Sequence, residues 1–125
     1  MKLSELEKIA RLKGSARLAT IYLITADDVG FKIGRTTSIV DRVAKLQTSH
    51  HKEIRVIHFF LTLKPVIVEG ALKRLFKSKH VRGEWYMLTP EDVLFIQRLD
   101  RGNHIELINE CAMNRGIQRW RLISQ

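Results

Sequence analysis

Residues 18–36 read LATIYLITADDVGFKIGRT. From Leu18 to Ala26 the side chains are apolar or β-branched with no charge among them, the composition of a strand covered on both faces. Asp27-Asp28-Val29-Gly30 then reads as a tight hairpin connection, rich in residues that accept turn geometry. Phe31 to Thr36 alternates, with Phe31 and Ile33 apolar and Lys32 and Gly34 between them. The stretch predicts an antiparallel hairpin at the centre of the protein, and the flanking sequence is read around it.

Downstream, Ser38 with Asp41 three residues on opens a helix whose buried stripe is Ile39, Val40, Val43 and Leu46. Thr48 to Lys52 is a polar loop. Ile54 to Leu63 carries apolar residues on both parities, which predicts a third and central strand. Pro65 suits the first turn of a helix running to about Ser78, with Ile67, Val68, Ala71, Leu72, Leu75 and Phe76 on its apolar face. Lys79 to Glu84 reads as a basic loop. Thr89-Pro90-Glu91-Asp92 combines a cap, a first-turn proline and first-turn acids, so a helix starts there and ends at Arg101-Gly102. Another helix follows from about His104 to Asn114, then a basic tail with Trp120. Upstream, Ser4 and Glu7 form a capping-box pattern for a helix over residues 4–13. The expected fold is α/β, a small central antiparallel three-stranded sheet flanked by helices. A core over residues 18–101 carries a helical extension at 1–17 and another, with the basic tail, at 102–125, all in one compact domain.

A chain of 125 residues buries enough surface to fold without staples. Its single cysteine, Cys111, excludes a disulfide framework and a thiolate cluster, and reads as core packing. Val56 to Leu63, the longest near-unbroken apolar stretch, is far short of the roughly 20 residues of a membrane helix. Residues 1–13 are charged and have no apolar core of a signal peptide, so no membrane partner and a cytoplasmic location are expected. Charge is the outlier: 22 Lys and Arg against 13 Asp and Glu leave +9. Such a balance points to a polyanionic partner, nucleic acid first.

Several residues carry potential chemistry, each with a plainer reading beside it. Tyr22 and Lys32 approach across the hairpin, or Tyr22 is a core tyrosine with a satisfied hydroxyl. Arg42 emerges beside the sheet, or is solvated, or pairs with Asp41. Glu69 edges the apolar face of its helix, and also stands four residues before Lys73 in the favourable orientation for an ion pair. Lys73, Arg74, Lys77, Lys79, His80 and Arg82 form the densest basic run, with no acid between them, and read as a phosphate-tracking patch or a solvated face. Trp85 could stack on a base or anchor its loop. Trp120, between Arg119 and Arg121, is a nucleic-acid contact or a docking residue. His50, His51 and His58 show no metal-ligand spacing.

Taken together, TIY at 20–22, KIG at 32–34, Arg42 and Glu69 resemble the GIY-YIG nuclease superfamily over about residues 18–99. FKIGRT, DRVAKLQT, VEGALKRLF and GEWYML are similar to its phage and mobile-element branch, often described as a DNA-binding domain. Thr20 stands where the family has its first Gly. Lys32 stands where it has the second Tyr, a place where some restriction-type members also carry Lys. The resemblance implies a divalent-metal-dependent DNA endonuclease, nicking one strand per active site, or a non-catalytic DNA-binding module on the same fold. In it Tyr22 is the proton acceptor, with Lys32, Arg35 and the metal supplying positive charge to lower its pKa. Arg42 grips the scissile phosphate, and Glu69 holds one Mg²⁺ or Mn²⁺ largely through waters. DNA is the implied partner, RNA remaining open, in a bacterial cell or phage-infected host.

Overall fold

A computed structural model describes residues 18–28 and 30–113. The expected helix over 4–13, the turn position 29 and the tail with Trp120 lie outside them. The chain order is β1 (Ala19–Thr25), β2 (Phe31–Thr36), α1 (Ile39–Thr48), β3 (Arg55–Thr62), α2 (Pro65–Leu75), a 3₁₀ turn (Lys77–Lys79), β4 (His80–Arg82), β5 (Trp85–Tyr86), α3 (Pro90–Gln97) and α4 (His104–Met113). The strands form a five-stranded sheet, β3-β1-β2-β5-β4, with every neighbouring pair antiparallel.

The sheet is thus larger than the three strands expected; the β1–β2 hairpin lies in its interior as expected, but β3 is not a central strand. All seven residues of β1 are buried, and β1 lies between β2 and β3. β3 is an edge strand whose first residue, Arg55, is exposed and pairs with Asp28. Its apolar residues fall on both parities because helices cover both faces of the sheet, not because strands flank it on both sides. The segment taken for a basic loop forms the β4–β5 hairpin. Arg82 pairs with Trp85, leaving Gly83 and Glu84 as a two-residue turn. Gly83 takes φ 58 and Glu84 stays at negative φ, the pattern of a turn that demands glycine first.

Side chains alternate across β1 and divide the core in two. Ile21 and Leu23 pack with Val68, Leu72 and Phe76 after Pro65, with Phe95 and Ile96 of α3, and with Ile108 and Cys111 of α4. Tyr22 and Ile24 face the other way, onto Ile39, Val43 and Leu46 of α1. Three helices therefore cover one face and α1 the other. Val40 and Ile67, expected in buried stripes, are 38% and 64% exposed. α2 stops at Leu75 and α3 at Gln97, short of Ser78 and Arg101. The Thr89 cap of α3 forms as read: its hydroxyl accepts from Asp92 N, and Asp92 accepts from Thr89 N at 2.9 Å. Among the described residues no helix is long and apolar enough to cross a membrane.

The hairpin register sets Tyr22 opposite Gly34, while Lys32 faces Ile24. Tyr22 and Lys32 are therefore diagonal neighbours on one face, not a directly opposed pair. The Tyr22 ring lies across β2 where Gly34 has no side chain. A Cβ at Gly34 would sit well inside contact distance of Tyr22 Oη and Cζ, and that ring is 2% exposed with little freedom to move. Gly34→Ala should lower stability by about 1–3 kcal/mol, as overpacking does. In a Tyr22→Ala background the same substitution should cost much less. Urea melts of the four proteins in a double-mutant cycle measure the difference, and equal costs would mean the ring does not depend on Gly34.

Candidate functional site

β5 pairs with only Phe31 and Lys32 of β2, and the last contact across that edge is Ile33 N to Glu84 O at 3.3 Å. Beyond it, Gly34 to Thr36 pair with β1 alone. At this open edge, side chains from both faces of the sheet come together. Tyr22 arrives over Gly34. Arg42 comes from α1, one turn after the Ser38 cap, which accepts from Asp41 N. Glu69 and Lys73 come from α2, held in place by Val68 and Leu72 in the core. Lys32 and Arg35 come from β2, and Glu84 from the β4–β5 turn.

The contacts form one network. Arg42 Nε donates to Tyr22 Oη at 3.2 Å, and Arg42 Nη2 is 3.8 Å from Glu84 Oε2. Lys32 Nζ lies 3.3 Å from the same Glu84 oxygen. Arg35 Nε is 3.5 Å from Glu69 Oε1. Lys73 Nζ stands between the two carboxylates, 3.6 Å from Glu69 Oε1 and 3.5 Å from Glu84 Oε1. All five residues that the family resemblance singled out, Tyr22, Lys32, Arg35, Arg42 and Glu69, thus lie in one cluster. The plain ion pair between Glu69 and Lys73 is present too, as part of it.

Glu84 is the member that sequence reasoning missed. It falls in a segment read as loop, and the signal for its place was Gly83, the first residue of a two-residue hairpin turn. Its Oε2 is buried and completes no directed hydrogen bond, because the Lys32 and Arg42 contacts are ionic approaches without hydrogen-bond geometry. A buried oxygen of this kind costs free energy until something donates to it or coordinates it.

The electrostatics of Tyr22 run against the expected activation. Burial pushes its hydroxyl pKa up, and the Coulombic fields of Glu84 and Glu69 add to the rise. Arg42 alone opposes, through its hydrogen bond and its charge. Lys32 and Arg35, the cations assigned to lower this pKa, are instead turned onto Glu84 and Glu69. Arg42 is itself shifted up, chiefly by its bond to Tyr22. Tyr86, buried on β5, is also shifted up, by burial first; Lys73 lowers it while Glu69 and Glu84 raise it, so it senses the same cluster from the α2 side.

The basic run divides. Lys73 belongs to the cluster instead of a solvent-facing stripe. Lys79 is paired with the buried carboxylate of Asp92 in the capping box of α3. Arg74, Lys77 and Arg82 are exposed and form no ion pair among the described residues. Trp85 is half-buried, with Lys32 Nζ 5.7 Å from its ring centroid and His50 stacked obliquely at 5.4 Å.

No group of three or more His, Cys, Asp or Glu suited to a metal occurs among the described residues. Two carboxylates do face each other across Lys73, and one of their oxygens lacks a donor. As they stand the two carboxylates are bridged by Lys73; a hard divalent cation would need Lys73 displaced and would keep most of its waters. Zinc-type chemistry has no support in these side chains.

A folded-state pKa raised above the ordinary 10.0 makes the protonated Tyr22 favour folding. That stability is complete below pH 10 and is lost as pH rises through the higher folded value. Wild type should therefore lose more stability than Tyr22→Phe between pH 9 and pH 12, read from urea midpoints. Parallel curves for the two proteins would mean that Tyr22 titrates as an ordinary tyrosine.

The fold and this edge cluster can be set beside known proteins. No curated protein and no solved structure matches the chain at a significant level. Residues 19–111 match the T5orf172 domain, a phage-associated domain related to nuclease-type folds of the GIY-YIG and HNH-like kind, with no match to a specific GIY-YIG family. The match runs into α4 as far as Cys111, and Ile108 and Cys111 share the main core. Because it spans most of the sequence, the chain belongs to the T5orf172 domain family.

Proposed function

We propose that this protein binds DNA through the exposed basic side chains around β4 and the end of α2, and that it hydrolyses a phosphodiester at the open edge of β2. One observation carries the reading. Four cations, Lys32, Arg35, Arg42 and Lys73, share only two carboxylates at this partly exposed edge, a surplus of two positive charges, and one of the four, Arg42, bonds the Tyr22 hydroxyl. That surplus matches the charge that develops on a phosphoryl group, and the family supports a nuclease-like or DNA-binding role.

In this reading the phosphate takes Arg42 as its main grip, the planar guanidinium holding two oxygens while Nε keeps Tyr22 oriented. Arg35 and Lys73 lie on the α2 side, able to turn from Glu69 to a phosphate oxygen. Tyr22 holds the attacking water and accepts its proton only when its own pKa has been brought down. Glu69 and Glu84 would hold one Mg²⁺ or Mn²⁺, and a dication there would cancel the two negative fields that raise Tyr22 while stabilising the leaving oxygen. The second reading is a non-catalytic DNA-binding module. It draws on the raised Tyr22 pKa and on Lys73, which already fills the space between the carboxylates.

Supercoiled plasmid incubated with Mg²⁺, Mn²⁺ or EDTA separates the two. The parent should nick with metal and not with EDTA. Tyr22→Phe, Glu69→Gln and Glu84→Gln should each lose about 100-fold or more in rate, the weight of an acid–base group, with far-UV CD unchanged. Arg42→Lys should lose activity clearly as well, since a point charge replaces a fork. A parent that binds but never nicks establishes the binding module. A parent that nicks while Tyr22→Phe nicks equally well moves the proton acceptor elsewhere.

Binding itself has a separate signature. Arg74→Ala with Lys77→Ala should weaken every duplex alike and lower the slope of log K against log salt by about 1.8. Lys79→Ala should leave that slope unchanged and instead lower stability, by stranding Asp92. An unaltered slope in the Arg74/Lys77 protein would place DNA on another surface.

A further inference from the structure

A pocket of about 400 Å³ lies beside the cluster where the loop after α1 meets the β4–β5 hairpin and the β1–β2 turn. Trp85 forms one wall, with His50, His51 and Lys52 from the loop, Arg82 from β4 and Asp27 from the turn. Its size is at the low end of small-molecule sites and accommodates one planar ring system. The Trp85 and His50 rings meet at 52°, so neither has its π-face covered by a parallel stack. The rim is cationic through Lys52 and Arg82. Among the described lining residues the one acid is Asp27, which accepts a 2.8 Å hydrogen bond from Gly30 N. An aromatic wall with a positive rim suits a planar group on an anionic tether, which is the chemistry of a nucleotide.

Lys32 ties this pocket to the cluster. Its ammonium is 3.3 Å from Glu84 Oε2 on one side and 5.7 Å from the Trp85 ring centroid on the other. A base against Trp85 and a phosphate beside Arg42 would therefore belong to neighbouring nucleotides of one strand. A base inside a regular duplex is stacked on both faces and cannot offer one to Trp85, so the occupant must be out of the stack. We propose that this pocket receives one unpaired DNA base, and that it directs the neighbouring phosphate site to bulged, extruded or single-stranded positions in preference to uniform duplex. The proposal rests on the DNA-binding reading above.

The test uses the full chain and two duplexes of identical length. One is fully paired; the other carries a single 2-aminopurine as a one-nucleotide bulge. The bulged duplex should bind about tenfold tighter, the scale of one base–aromatic stack, and its 2-aminopurine emission should fall on binding. In Trp85→Ala and in His50→Ala the preference should drop toward unity. Should Trp85→Ala fail to fold, His50→Ala and the wild-type emission decide. Equal affinity for the two duplexes with unchanged emission overturns the pocket assignment while leaving DNA binding intact. Tighter binding of the same bulge in RNA overturns the assignment to DNA. Failure to bind either duplex overturns the DNA-binding reading itself, and the pocket with it.

Discussion

The passage of the Tyr22 ring over Gly34 governs the geometry of everything around it. β1 is buried along its whole length, so a tyrosine in its middle has no direct route to solvent. The ring reaches the sheet edge only by crossing the neighbouring strand, and it can cross only where that strand has no side chain. The crossing brings the hydroxyl to Arg42, which is aimed by the first turn of α1. It also requires that β5 be short. Two paired residues close the sheet as far as Lys32, and any longer strand would cover the edge where the hydroxyl emerges.

The charges around that hydroxyl are held in readiness by one another. Glu84 gathers Lys32, Arg42 and Lys73, and Glu69 gathers Arg35 and Lys73. Each long cationic side chain therefore has a fixed direction before any anion arrives, which lowers the ordering cost of gripping one. Burial raises the pKa of Tyr22 most, and the same carboxylates add to the rise. The resting arrangement is thus ordered for anion binding and set against proton abstraction. Whatever reverses the second property must offset the burial of the hydroxyl as well as the fields of Glu84 and Glu69.

Much of this was readable from sequence, for local reasons. The β1–β2 hairpin, the Ser38 and Thr89 caps and the Pro65 helix start each rest on side chains within a few residues, and each is present. The family resemblance brought five of the edge residues together before any coordinates. The failures were non-local. Apolar residues on both parities of β3 report helices on both faces, and say nothing about which strand is central. The pairing of Lys79 with Asp92 was not legible because Asp92 is thirteen residues away and buried by folding. Glu84 was invisible as a site residue because the β4–β5 hairpin is only three and two residues long, too brief for any periodicity to register. Its one local mark was the glycine before it.

The two faces of the sheet also differ in what they can tolerate. On the α2 side, His104 bridges Thr62 at 2.9 Å and the Asp100 carbonyl at 2.8 Å, and His58 meets the Leu99 carbonyl at 2.6 Å. These bonds tie the β3 edge to the segment between α3 and α4, and so support the core against which α2 rests. They are far from the open edge of β2 and hold no ionic partner among the described contacts. Their consequence for the site is positional: Glu69 and Lys73 stand one helical turn apart, and any rotation of α2 would swing both. On the other face, α1 contributes Arg42, and the loop after it lines the pocket beside Trp85. A flat sheet separates these two sets of side chains everywhere except at an edge. A cluster that needs a tyrosine and an arginine from one face and a glutamate and a lysine from the other can therefore form only where a strand runs out, which is what the short β5 provides.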